Sequence, residues 1–130
     1  MPEREPIISI DTWRIREGKL DAFKDAAQAF VDFAAENEPQ LIAYNVYVDE
    51  ETNQSTVVQI HPDPESIEFH LEVAGPQFGR FMEIFEPGGR IEVHGKPADH
   101  VLERMRQIAK QFGVTVAVME RYAGFARLLR

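Results

Sequence analysis

The spacing of apolar positions along this chain switches from alternation to helical period and back. In "IISIDTWRI", residues 7–15, Ile8 and Ile10 fall on one side and Ser9, Asp11 and Trp13 on the other, as a β-strand requires. "EGKLDAFKDAAQAFVDFAAENEP" then spaces Leu20, Phe23, Ala27, Phe30 and Ala34 three or four apart and stops at Pro39, which predicts an amphipathic helix. "LIAYNVYV" and "STVVQIH" return to β-formers on either side of the polar "DEETNQ", a hairpin with a loop. Asp63-Pro64 is a helix start, an acidic N-cap followed by proline at the first helical position. Ile67, Leu71, Ala74 and Phe78 supply that helix's buried stripe, and Gly75-Pro76 is expected to break or kink it. "EPGG" turns the chain into "RIEVHG", a fourth short strand.

The order β-α-β-β-α-β predicts an α+β fold of the ferredoxin-like kind, an antiparallel sheet in the order 4-1-3-2 with its helices on one face. Beyond Pro97, "ADHVLERMRQIAKQF" sets Val101, Met105, Ile108 and Phe112 on one stripe between Asp99 as cap and Gly113 as stop. "VTVAVME" then alternates as a strand. The organisation expected is a ferredoxin-like unit over residues 1–97 and a helix–strand extension of the same domain over 98–130, which extends the sheet or clasps a second copy.

At 130 residues the chain suits one domain with a sizeable core. A net charge of −8 with no basic cluster argues against nucleic acid and anionic membrane surfaces as partners. With no cysteine there is no disulfide, thiolate nucleophile or Cys-based metal site, a usage that suits a reducing cytoplasm. "MPEREP" lacks the apolar core of a signal peptide, and no apolar run approaches the roughly 20 residues that cross a bilayer. A cytoplasmic protein without a membrane partner is the expectation.

The sheet face away from the helices is expected to carry Trp13, Asn45, Tyr47 or Tyr44, Gln59, His61, Glu92 and His94. So mixed a face suggests burial against a second copy across a dyad, the two sheets enclosing a pocket. In the order 4-1-3-2, Glu92 and His94 would lie beside Ser9 and Asp11, and these beside Gln59 and His61. Two histidines and two carboxylates on one wall can hold a divalent metal or serve as a His–Asp acid–base pair. The tight spacing of a motif such as H-x-x-x-H is missing, so no metal is expected. The plainer readings are strand-end histidines at His61 and His94, a helix-edge histidine at His70, and first-turn carboxylates at Glu65 and Glu68. Phe81 and Phe85, one helical turn apart, suit core filling as well as a pocket wall.

"WRIREGKLDAF", "YNVYVD" and "HPDPESIEFHLEVAGPQF" together resemble the antibiotic biosynthesis monooxygenase family of dimeric α/β barrels, over roughly residues 7–97. The resemblance implies a homodimer acting without a cofactor, as an oxygenase or isomerase, on a small aromatic or quinol-type molecule. His70 matches the family's histidine of the second helix and Asp63 its helix cap, while His61 stands where most relatives have tryptophan. Haem-degrading members use a tryptophan, an asparagine and a histidine where this chain has His61, Asp11 and Met82, so haem degradation is not implied. The candidate acid–base groups are therefore His61, His70, Asp11 and His94. Trp13, Asn45, Tyr47, Gln59, Phe78 and Glu92 are the candidate substrate contacts. The alternative is a non-catalytic dimeric module that binds a small molecule or only packs.

Overall fold

A computed structural model describes residues 5–127. Along the chain run β1 (Ile7–Arg14), α1 (Leu20–Asn37), β2 (Ala43–Asp49), β3 (Gln54–His61), α2 (Pro64–Ile84), β4 (Arg90–His94), α3 (Asp99–Gln111) and β5 (Thr115–Met119). The sheet order is β2-β3-β1-β4-β5, so the first four strands take the expected 4-1-3-2 arrangement and the C-terminal strand adds to the β4 edge. All pairings are antiparallel except β4 with β5, which α3 connects as a crossover. The α+β, ferredoxin-like expectation and the sheet-extending role of the tail both agree with this arrangement.

Local chemistry accounts for the turns. Asn53 sits at φ 55°, the left-handed conformation that asparagine tolerates, and the Asp49 side chain accepts from the Glu51 backbone N–H at 3.0 Å to close the β2–β3 loop. Asp63 caps α2, its carboxylate accepting from the Ser66 N–H at 2.9 Å, with Pro64 opening the helix. Gly113, at φ 70°, follows the end of α3. Gly75-Pro76 does not break α2, which runs through it for 21 residues. Proline removes a single backbone bond there, and burial on both sides of that point, at Ile67 and His70 before it and against Phe85 beyond it, holds the helix together.

All three helices cover one sheet face, α1 over β2, α2 over β3 and α3 over β5. Ile7, Ser9, Asp11 and Trp13 of β1 point at them, whereas Ile8 and Ile10 point away. The core has two parts. Trp13, Phe23 and Phe85 centre one, with Trp13 stacked on Phe85 at 4.9 Å between ring centres. Ile7, Ile67, Val93, Val101 and Met105 form the other, beneath α3.

Candidate functional site

Between the sheet and the helices of a single chain lie two small spaces, the first and second lobes below. One lobe, about 70 Å³, is walled by Trp13, Phe30, Phe81 and Phe85. The other, about 90 Å³, runs under α2 and α3 past Ile67, Ala74, Met105 and Ile108. Asp11 and Phe78 line both lobes. For scale, an apolar cavity of about 150 Å³ accommodates benzene.

The polar groups on these walls form three connected sets. Asp11 Oδ1 accepts from the Ser9 hydroxyl at 3.0 Å. Burial raises its pKa from 3.8 to about 6, against the smaller opposing pull of the Ser9 bond and of His70. Asp11 is therefore a carboxyl poised near neutrality. His70 is 8% exposed, and its Nδ1–H is shared between the two oxygens of Glu38 at 2.8 and 2.9 Å. Glu38 is itself only 2% exposed. With Nδ1 committed, Nε2 is the ring nitrogen left for a ligand, and it has no hydrogen-bond partner among the described residues. Tyr44 packs 5.8 Å from the His70 ring and lines the first lobe. Burial, reinforced by the charges of Asp11 and Glu38, pushes its phenol pKa upward, so Tyr44 stays a neutral donor.

The third set orients a side chain of the floor. His61 is wholly buried, with Nδ1 2.7 Å from the Ser66 hydroxyl and Nε2 3.0 Å from Gln59 Oε1. The amide oxygen can only accept, which puts the His61 proton on Nε2 and makes Ser66 the donor to Nδ1. Desolvation, aided by nearby His70, lowers the His61 pKa to about 3. It remains neutral across the physiological range. Gln59 lines the second lobe with its oxygen held in this way, leaving its amide N–H₂ as a donor.

Several sequence expectations need correction. The face bearing Ser9, Asp11, Trp13, Gln59 and His61 looks toward the helices, so these residues belong to the interior of one chain and not to a face awaiting a second sheet. Ser9 does lie opposite Gln59, but Ile10 pairs with Glu92 and Ile8 with His94. A one-residue offset in the assumed β1–β4 register carries Glu92 and His94 to the opposite face, where His94 Nε2 meets Glu92 Oε1 at 3.6 Å. Asn45 and Tyr47 also lie on that outer face, opposite Val58 and Thr56, and Tyr47 is 56% exposed. The structure thus groups Asp11, His70, Gln59 and Phe78 around the second lobe and Asp11, Trp13 and Phe78 around the first, places His61 behind the second, and separates His94, Glu92, Asn45 and Tyr47 from both. The described residues contain no cluster of three or more His, Cys, Asp or Glu arranged to hold a metal. None of their helices is long and apolar enough to cross a membrane.

One member of the site, Glu38, escapes the sequence reading, which leaves the choice between Tyr44 and Tyr47 open. Glu38 continues the α1 stripe that runs through Phe30 and Ala34, and a carboxylate at a stripe position is a signal of a buried charge awaiting a partner. Tyr44 alternates with Val46 and Val48, whose burial fixes which of the two tyrosines points inward.

No protein-family model matches the sequence, and no curated protein matches it. Solved structures do. MupZ from Pseudomonas fluorescens is 19% identical, with 98% of this chain and 93% of that chain aligned at a TM-score of 0.73. A structure described as an antibiotic biosynthesis monooxygenase is 16% identical over 71% of this chain and 99% of its own, at 0.60. A conserved protein from Methanosarcina mazei Go1 is 17% identical over 70% of this chain and 92% of its own, at 0.62. The chain therefore has the fold of the antibiotic biosynthesis monooxygenase structures, and shares with MupZ an architecture that takes in the C-terminal helix and strand as well.

Proposed function

We propose that this chain is an enzyme that works by proton transfer on a small, largely apolar molecule bearing an oxygen function, isomerase-like in its chemistry. The observation that carries the reading is the convergence on one apolar cavity of a near-neutral carboxyl, Asp11, and an imidazole held by a buried carboxylate, His70 with Glu38. A histidine fixed through Nδ1 presents Nε2 as a base in a set orientation, and Glu38 stabilises the imidazolium that forms. Asp11 and Tyr44 meet an oxygen on which negative charge develops, Asp11 by proton delivery and Tyr44 by hydrogen bonding. One proton leaves the substrate to His70 and one returns through Asp11, a balance that suits isomerisation or intramolecular addition and consumes no oxidant. Gln59, held by His61 and Ser66, supplies a second donor.

The test is deuterium exchange. Cyclopentanone in D₂O should lose its α-protons faster with the protein than without it, by at least about 10²-fold, the usual scale of a positioned acid–base pair. His70→Gln and Asp11→Asn should each abolish the gain while remaining folded by circular dichroism. Equal rates with and without protein would sink the proposal. A second reading, cofactor-independent oxygenation of a phenol or quinol, draws support from the fold shared with the monooxygenase structure. The same base would open that reaction, and oxygen uptake with a quinol panel separates the two.

The sheet face away from the helices carries half-buried Ile8, Ile10, Val58 and Ile60 beside exposed Tyr47. A second copy applied to this face would cover it, so the working form in this reading is a cytoplasmic homodimer with one cavity in each chain.

A further inference from the structure

The sheet, α2 and α3 meet around the second lobe. β1 and β3 give it a floor that carries Ser9, Asp11 and Gln59, α2 supplies His70, and α3 closes it with Met105, Ile108 and Ala109. Asp11 and His70, the two groups that the acid–base reading uses to take and return a proton, both line this lobe, whereas the first lobe has Asp11 without His70. The chemistry therefore belongs to the space under α3. That space is tight, at about 90 Å³ against the about 150 Å³ that accommodates benzene. Ala74 and Gly75 of α2 present next to no side chain to it, and a Cβ built on Gly75 would find only Arg104 Nη2, at 3.8 Å, within contact range. α3 does the reverse, setting two long side chains against the same space, buried Met105 and half-buried Ile108.

We infer that the C-terminal extension is part of the active site, with Met105 and Ile108 setting the upper size of a compact, oxygen-bearing substrate. The inference rests on the acid–base reading above and adds to it the residues that decide which molecules reach Asp11 and His70. Neither roof residue acts on the reacting atoms. Shortening either one enlarges the lobe without altering its polar floor, and a branched side chain at position 75 shrinks it. In an apolar pocket one methylene more or less changes selection by about 10- to 200-fold, so the effect is large enough to read. A residue that only packed α3 onto the sheet would, when shortened, lower the exchange of every ketone alike.

Three ketones of rising size test this on the full chain: acetone, cyclopentanone and cyclohexanone. Each α-proton exchange rate in D₂O is divided by the rate without protein, and circular dichroism confirms that each variant is folded. Met105→Ala and Ile108→Ala should each raise the acceleration of cyclohexanone relative to acetone by about tenfold or more. Gly75→Val should do the opposite, lowering cyclopentanone relative to acetone. Ile108 is half-buried, so its truncation reads the roof should loss of Met105 unfold the chain. If acetone is accelerated and neither α3 substitution shifts the ratio, the extension is packing alone and the acid–base site stands. A shift in Gly75→Val alone puts the size limit on α2 and overturns the inference in the same way. If no ketone exchanges faster with the protein than without it, both readings fall together.

Discussion

Replacing Asp11 by asparagine is expected to stabilise the protein, and only where the carboxyl would be ionised. Burial lifts the Asp11 pKa from 3.8 to about 6, so the folded chain holds this proton more tightly than the unfolded one. The sign follows from that inequality. Below 3.8 both states are protonated and the residue costs nothing, between 3.8 and about 6 stability falls as pH rises, and above about 6 a constant penalty remains. At about 1.4 kcal/mol per pKa unit, the penalty near pH 8 comes to about 3 kcal/mol. Asparagine has the same shape, and its oxygen still accepts from the Ser9 hydroxyl. It lacks the charge but keeps a polar group to desolvate, so the net gain expected is about 1 to 3 kcal/mol. In a domain of this size each kcal/mol raises Tm by about 4 °C. His61, held neutral by its own burial, acts equally in both proteins and drops out of the difference. The assay is thermal unfolding of the two proteins followed by circular dichroism, near pH 8 and again near pH 4. A gain that is absent near pH 8, or the same at both pH values, would refute the account of Asp11.

Other expectations follow from the same geometry. Glu38→Gln keeps a hydrogen-bond acceptor for His70 Nδ1 but removes the charge that stabilises the imidazolium; the cyclopentanone exchange rate should fall about 10²-fold with little change in binding. Gly89→Ala would drive a Cβ into the six-membered ring of Trp13, so unfolding free energy should drop by about 1 to 3 kcal/mol and the tryptophan emission should shift to the red. If the proposed homodimer forms through the outer sheet face, Val58→Lys, which places a charge there opposite Ile10, should leave a monomer where the parent chain sediments as a dimer, with the far-ultraviolet spectrum unchanged.

The elements were legible because each had a periodic stripe and a chemical boundary. Asp63-Pro64 opens α2, Gly113 follows α3, and the alternation that includes Val116 and Val118 belongs to a real strand. What alternation cannot tell is which of two mixed faces meets the helices. Ser9, Asp11 and Trp13 share a side of β1 in any reading, yet their polarity pointed outward, and only the packing of Phe23 and Phe85 against Trp13 turns that side inward. A polar group facing a cavity looks in sequence like one facing water. The β1–β4 pairing was misjudged although β4 carries its own signal: Ile91 and Val93 alternate with Arg90, Glu92 and His94, and the burial of Val93 sends Glu92 and His94 to the outer face. The His70–Glu38 pair spans 32 positions and three elements, and no local spacing encodes a contact of that range. Pro76 shows the converse, a strong local stop signal that does not end the helix.

The account stands or falls on the state of Asp11, which the carboxyl ¹³C resonance reports directly, identified by its loss in Asp11→Asn. The expected titration has its midpoint at about 6 and moves when cyclopentanone is added. A midpoint near 3.8, indifferent to the ketone, would describe an ordinary solvated aspartate and would contradict a proton-transfer site at this position.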